Sequence, residues 1–185
     1  MKTKKLRMLL PLLLFTLVLG FSSPPPAQAS QSSSDYGWIQ WATNADPEHH
    51  VLFDVSMVNA QDGWAVGEHG TILHWDGETW SLFNSPTNET LHAVKMLNSA
   101  DGWAVGDNGT ALQWTGTFWK PWNSGTTTAT LMDIDMFYDN QGVDGVTVGE
   151  NGAKPIIIRF RGQDWFVWES PPEHPVLSVA LIDRD

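Results

Sequence analysis

The chain has 185 residues, with 10 Lys and Arg against 21 Asp and Glu, a formal net charge of −11, and 11 Trp beside 2 Tyr. It contains no cysteine, which excludes a disulfide framework, a thiolate metal site, a thiol nucleophile and a lipid-anchored cysteine. The acidic excess repels phosphate backbones, because nucleic-acid binding rests on Lys and Arg displacing counterions, so nucleic acid is not an expected partner.

In chain order the first element is an export signal. Lys2, Lys4, Lys5 and Arg7 precede an apolar run from Met8 to Phe21, and Pro24, Pro25, Pro26 and Ala27-Gln28-Ala29 follow. That order of charge, apolar core and small residues predicts a secretory signal over 1–29, cleaved after Ala29. The apolar run is interrupted by Pro11 and falls short of the ~20 residues that span hydrocarbon. Cleavage removes four of the ten basic residues and none of the acidic ones. The expected location is secreted or periplasmic, with no membrane insertion once the signal is gone, and residues 30–37 form a flexible mature N-terminus.

The rest of the chain repeats itself. Gly63-Trp64-Ala65-Val66-Gly67 recurs 39 residues later as Gly102-Trp103-Ala104-Val105-Gly106, and Gly70, Trp75 and Trp80 recur as Gly109, Trp114 and Trp119. A looser third copy has Val146-Thr147-Val148-Gly149, Gly152, Phe160 and Trp165, with extra residues around Asp139 to Asp144 and Lys154 to Ile156. Each unit holds four short apolar runs, in the first copy Leu52 to Val58, Gly63 to Gly67, Thr71 to Trp75 and Thr79 to Phe83. Tight hairpins are predicted at Gly67-Glu68-His69-Gly70, Gly106-Asp107-Asn108-Gly109 and Gly149-Glu150-Asn151-Gly152, because Gly and Asn tolerate positive φ.

A four-stranded unit of ~40 residues cannot bury both faces alone and must stack on copies of itself. The predicted class is therefore all-β: a β-propeller of four-stranded antiparallel blades, with three full blades and a split, incomplete fourth. The blades are placed at 52–83, 91–122 and 131–168. Trp38-Ile39-Gln40-Trp41 matches the fourth strands, and the segment from Val176 to Ile182 matches the first strands. The partial propeller thus runs from 38 to 185, opening on strand 38–41 and closing on a first strand at 176–182. A partial chain whose continuation supplies further blades is the simpler reading. The alternative is a short protein whose open blade edges recruit other copies, since an unpaired strand edge recruits strands.

Asp62 through Trp80, with its Gly-Trp-Ala-Val-Gly core, resembles the repeats of the photosystem II stability and assembly factor family, and the resemblance spans about residues 36 to 185. It implies a propeller outside the cytoplasm or in the thylakoid lumen that helps new photosystem II subunits assemble, using an arginine-rich surface. After export only Arg159, Arg161 and Arg184 remain to supply one. Asp76-Gly77-Glu78-Thr79-Trp80 is also similar to the Asp-box repeats of the sialidase superfamily. Sialidase chemistry requires three arginines on a carboxylate, a tyrosine nucleophile with its glutamate, and an acid, and no such centre is legible in the chain.

Each candidate site has a plainer reading beside it. Trp64, Trp75, Trp80, Trp103, Trp114 and Trp119 could stack on sugar faces, but recurrence at identical positions predicts packing between blades. His49-His50 with Asp54 offers imidazole and carboxylate to a metal, yet adjacent histidines in a Pro-containing loop read as a solvated loop. Asp133, Asp135, Asp139 and Asp144 are oxygen ligands of the type calcium takes, without the calcium-loop spacing, and read as solvated or channel-lining. Asn88-Glu89-Thr90 and Asn108-Gly109-Thr110 fit the glycosylation sequence, the second inside a hairpin.

In the first strands, Val55 and Met57, Val94 and Met96, and Ile134 and Met136 share one face, and Asp54 and Ser56, Ala93 and Lys95, and Asp133 and Asp135 share the other. The polar set is expected to face the central channel, which makes Asp54, Lys95, Asp133 and Asp135 the candidate ligand-binding residues. No catalytic, cofactor or metal site is predicted. The expected function is a non-enzymatic interaction scaffold with a protein or carbohydrate partner. The alternatives are a fragment of a sialidase-like or other glycoside-hydrolase propeller whose catalytic residues lie outside this chain, or a photosystem II assembly factor-like protein.

Overall fold

Alternating apolar residues between Gly-containing turns produce three meanders of like design. In the computed structural model β1 (Leu52–Asn59), β2 (Asp62–Gly67), β3 (Ile72–Trp75) and β4 (Trp80–Leu82) form the first sheet. The second holds β5 (Leu91–Asn98), β6 (Asp101–Gly106), β7 (Thr110–Trp114) and β8 (Trp119–Asn123), and the third β9 (Thr130–Asp139), β10 (Gly142–Asn151), β11 (Lys154–Arg161) and β12 (Asp164–Trp168). Every pairing is antiparallel between consecutive strands. The residues described are 46, 48, 50–125, 128–140, 142–152, 154–162, 164–168 and 176–182, all within the compact unit Trp41–Asp185. The export signal, the segment 30–37, the strand expected at 38–41, His49 and Arg184 lie outside the described residues.

The first two hairpin tips form as expected, with His69 and Asn108 both at φ 53° and the following Gly70 and Gly109 at 72° and 67°. The third differs. The extra residues Lys154 to Ile156 supply partners for Asn151, Glu150 and Gly149, so the hairpin lengthens and its turn moves out to Gly152. Two other glycines of the repeat are fixed by contact. A Cβ on Gly102 would lie 2.4 Å from the Met96 sulfur, and one on Gly106 would lie 2.0 Å from the Thr90 carbonyl oxygen. At Gly106 the chain therefore comes closer to the Thr90 backbone than any side chain permits, while at Gly102 the missing side chain makes room for that of Met96.

The core lies between the sheets. One cluster joins Trp64, Val66 and Ile72 of the first sheet to Leu91, Val94, Met96, Ala104, Leu112, Trp114 and Trp119 of the second. The next joins Ala93, Trp103, Val105 and Ala111 of the second to Leu131, Ile134, Met136, Ile156, Ile158 and Phe160 of the third. Each is centred on the same aromatic group. Trp64 lies 4.5 Å from Trp114 and edge-on to Trp119 at 5.4 Å, and Trp103 lies 4.7 Å from Phe160 and edge-on to Trp165 at 5.4 Å. The indole N–H groups of Trp64, Trp103, Trp119 and Trp165 are buried without a hydrogen-bond partner, so these rings hold the sheets together by packing alone. Trp75 and Trp114 are satisfied, donating to the carbonyls of Ala60 and Ser99 at 3.0 Å. Trp64, Trp103, Trp114 and Trp119 thus pack between sheets as expected of the repeated tryptophans, whereas Trp75 and Trp80 lie 5.6 Å from each other within the first sheet.

The sheets meet chiefly along β1, β5 and β9. Val94 and Met96 of β5 donate their N–H groups to Asp54 and Ser56 of β1, and the matched spacing of two residues means the two strands run in the same direction. First strands side by side, each followed outward by its own meander, is the arrangement of consecutive propeller blades.

The segment 176–182 corrects one expectation. It has no assigned strand, although it lies beside β9 as a following first strand would. Its Val179 and Leu181 N–H groups donate to Asp133 and Asp135 at 2.7 Å. Side-chain carboxylates, not a backbone ladder, hold it there.

Candidate functional site

The four residues expected along the channel occupy the joints between first strands. Asp54 accepts the N–H of Val94 at 2.8 Å and of Val55 at 2.8 Å. Burial pushes its carboxyl up, ahead of the opposing pull of these two amides. In the next joint Lys95 Nζ lies 2.7 Å from Asp135. Burial works against that carboxylate as well, but Lys95 and the Leu181 amide outweigh it and hold Asp135 below the usual range. Asp133 binds the segment 176–182 through the Ser178 hydroxyl and the Val179 amide, both at 2.7 Å. Asp54, Lys95, Asp133 and Asp135 thus form a row of couplings between neighbouring chain segments.

Two further readings are corrected. Asp144 is not solvated: it is 5% exposed and accepts two hydrogen bonds from the Arg159 guanidinium. That contact, then burial in the opposite sense, leaves its carboxyl below the ordinary value. Asp139 is exposed at the end of β9. The Asp144–Arg159 pair has counterparts in His74 against Asp62 at 3.0 Å and Gln113 against Asp101 at 3.3 Å, so it is a position of the repeat that changes its chemistry from copy to copy. The Asp-box-like stretch is likewise a turn: Asp76 accepts the amides of Thr79 and Glu78, which lowers its pKa.

The second correction concerns His50, which is half-buried and not part of a solvated loop. Its Nδ1 lies 3.0 Å from the Thr71 hydroxyl and 3.3 Å from Asp46, and its Nε2 lies 3.2 Å from Glu48. Its ring packs 5.0 Å from that of His69. Asp54 is elsewhere, committed to Val94, and no group of three potential metal ligands occurs among the described residues.

His50 and His69 border a cleft of about 340 Å³ between the β2–β3 hairpin tip and the β4–β5 connection. Ile72, Leu82 and Phe83 provide its apolar lining, Asn84, Ser85, Thr87 and Asn88 its neutral polar groups, and Asp46 and Glu48 its acids. In the other copies the residue at this repeat position makes one simple side-chain hydrogen bond, Asn108 donating to Glu89 and Asn151 accepting from Thr128. The first copy replaces that tie by two imidazoles. The repeat alignment carried this signal, since His69 stands where Asn108 and Asn151 stand, but the acids and asparagines around it come from loops that do not repeat.

No family model matches the sequence, and no curated protein matches it. Among solved structures, the chain is similar to YCF48 bound to D1 peptide at 20% identity over 64% of this chain and 40% of that one, with a TM-score of 0.49. It is similar to YCF48 from Cyanidioschyzon merolae at 15% identity over 74% of this chain and 62% of that one, with a TM-score of 0.41. The chain spans less than two thirds of the length of either structure.

Proposed function

We propose that this chain is an exported, non-enzymatic β-propeller scaffold whose first-repeat cleft receives a segment of a partner protein bearing a basic side chain. The observation that supports this is the departure of His50 and His69 from the simple side-chain hydrogen bond of the other copies. Residues that a repeat needs for folding recur; residues that break the repeat at an accessible tip are free to serve recognition. Glu48, with a side chain 75% exposed at the rim, suits an ammonium or guanidinium group. The amides of Asn84 and Asn88 suit an extended backbone, and Leu82 and Phe83 its apolar side chains. The acidic excess of the whole chain favours approach of a basic segment. Arg159 is bound to Asp144, which weighs against its gripping a substrate carboxylate as in sialidase chemistry.

The test is an NMR titration of the His50 and His69 ring signals with short Lys- or Arg-containing peptides and their Glu counterparts. Basic peptides are expected to shift both rings, and Glu48→Gln to weaken the effect. Equal response to acidic peptides, or none to basic ones, would overturn the reading. Export is checked separately by N-terminal sequencing of the protein recovered outside the cytoplasm, which should begin at Ser30.

A further inference from the structure

Exposure along the first strands is inverted in one place. Val94 and Met96 of β5 are 4% and 7% exposed, and Ile134 and Met136 of β9 are 4% and 2% exposed. Their counterparts on β1, Val55 and Met57, are 54% and 48% exposed, with Phe53 beside them at 48%. The polar residues between them, Asp54 and Ser56, are the more covered ones. β1 therefore presents to solvent the same apolar pair that β5 and β9 bury against the preceding sheet.

The face that receives such a pair is also on the molecule. On β9, Asp133 and Asp135 each aim one carboxylate oxygen at alternate amides of the neighbouring segment, Val179 and Leu181. The Asp54 carboxylate and the Ser56 hydroxyl accept the N–H groups of Val94 and Met96 in the same way. The occupant of the β9 site leaves much of its own apolar surface open, with Leu177 and Ile182 at 67% and 87% exposed. Its sequence aligns with β1, Ser178 standing with Asp54, Val179 with Val55 and Leu181 with Met57.

We propose that β1 is an assembly strand, and that it docks on β9 of a second copy of this chain in place of residues 176–182. Asp133 then takes over the Val55 N–H from Asp54 of the docking strand, Asp135 accepts that of Met57, and the two apolar side chains fill the face that Val179 and Leu181 half-occupy. The contact is heterologous, one surface meeting a different one, so it propagates head to tail unless the geometry closes a ring. It is independent of the cleft proposed to bind a partner.

The experiment uses the chain expressed from its full coding sequence, in the form the host processes it to, and reads mass against concentration by sedimentation. The wild type is expected to associate as concentration rises. Val55→Lys with Met57→Lys destroys the knob strand and Asp133→Ala with Asp135→Ala the receiving one, and each variant alone is expected to stay monomeric. Mixed together they should give 1:1 dimers that do not grow, because each supplies the surface the other lacks. Should the receiving-strand variant fail to fold, the knob variant added to wild type is expected to cap and shorten the assemblies. A wild type that is monomeric at every concentration, a knob variant that associates like wild type, or a mixture that stays monomeric overturns the proposal.

Discussion

Asp54 and Val94 belong to different sheets, and the carboxylate of the first accepts the backbone N–H of the second at 2.8 Å. The contact replaces, at the joint between meanders, the backbone pairing that exists within each meander. Val94 is 4% exposed, so losing its acceptor strands a buried donor.

Asp54→Ala is therefore expected to lower unfolding stability by about 1–3 kcal/mol, the cost of leaving a buried polar group unmatched. Asp133→Ala makes the same chemical change where the amide belongs to the segment 176–182. Its expected effect is local: loss of hydrogen-exchange protection at Val179 with a denaturation midpoint close to wild type. Equal midpoints for the two variants would show that the Asp54 joint is not a structural one.

Trp103 is fully buried between the second and third sheets, whereas Trp80 at the start of β4 is only half-buried. Trp103→Ala is expected to cost about 3–5 kcal/mol, as large aromatic truncations in a packed core do. Trp80→Ala is expected to cost less, and urea denaturation of the two variants decides the order.

The sheets were legible because the repeat marks them twice over, once by glycines where strands must approach and once by tryptophans where sheets must pack. Gly106 carries the first message and Trp103 the second. The joints were harder to read. Asp54, Lys95, Asp133 and Asp135 could be placed on one face by alternation, but alternation does not say whether a polar face meets solvent or the amides of the next strand. The cleft was harder still, because Glu48 and Asn88 reach it from connections whose path depends on the packing of whole sheets. The segment 176–182 shows a related limit: its pattern is that of a first strand, yet a strand also requires a partner ladder, and pattern alone does not supply one.

Gly106→Ala and Gly152→Ala test the two uses of glycine against each other. A Cβ at 106 meets the Thr90 carbonyl oxygen at 2.0 Å, whereas one at 152 meets nothing within 4 Å. Gly106 has an extended backbone, φ −170°, so its whole cost is the forced separation of β5 from β6. That variant is expected to lose several-fold in soluble yield or to unfold. Gly152, at φ 66°, carries only the positive-φ penalty of about 1–2 kcal/mol, read as a modest shift in midpoint.

Asp144 and Arg159 set part of the acid sensitivity. The Arg159 contact holds the Asp144 carboxyl below its unfolded value of 3.8, so the unfolded chain takes up the proton first as pH falls. The pair's contribution is then complete above that value and is lost as pH drops through the lower folded value. Asp135 and Asp76, also held low, act in the same sense, whereas Asp54, held high by burial, acts in the opposite one. Asp144→Asn should cost about 2 kcal/mol at neutral pH, between the about 1 kcal/mol of an exposed pair and the about 3 kcal/mol of a buried one, because Arg159 is itself partly exposed. The variant should also lose less stability than wild type between pH 5 and pH 3 (about one residue's worth of the linkage). Denaturant titrations at pH 7, 5 and 3 check both statements, and parallel pH curves for the two proteins would mean that this pair does not govern the acid limb.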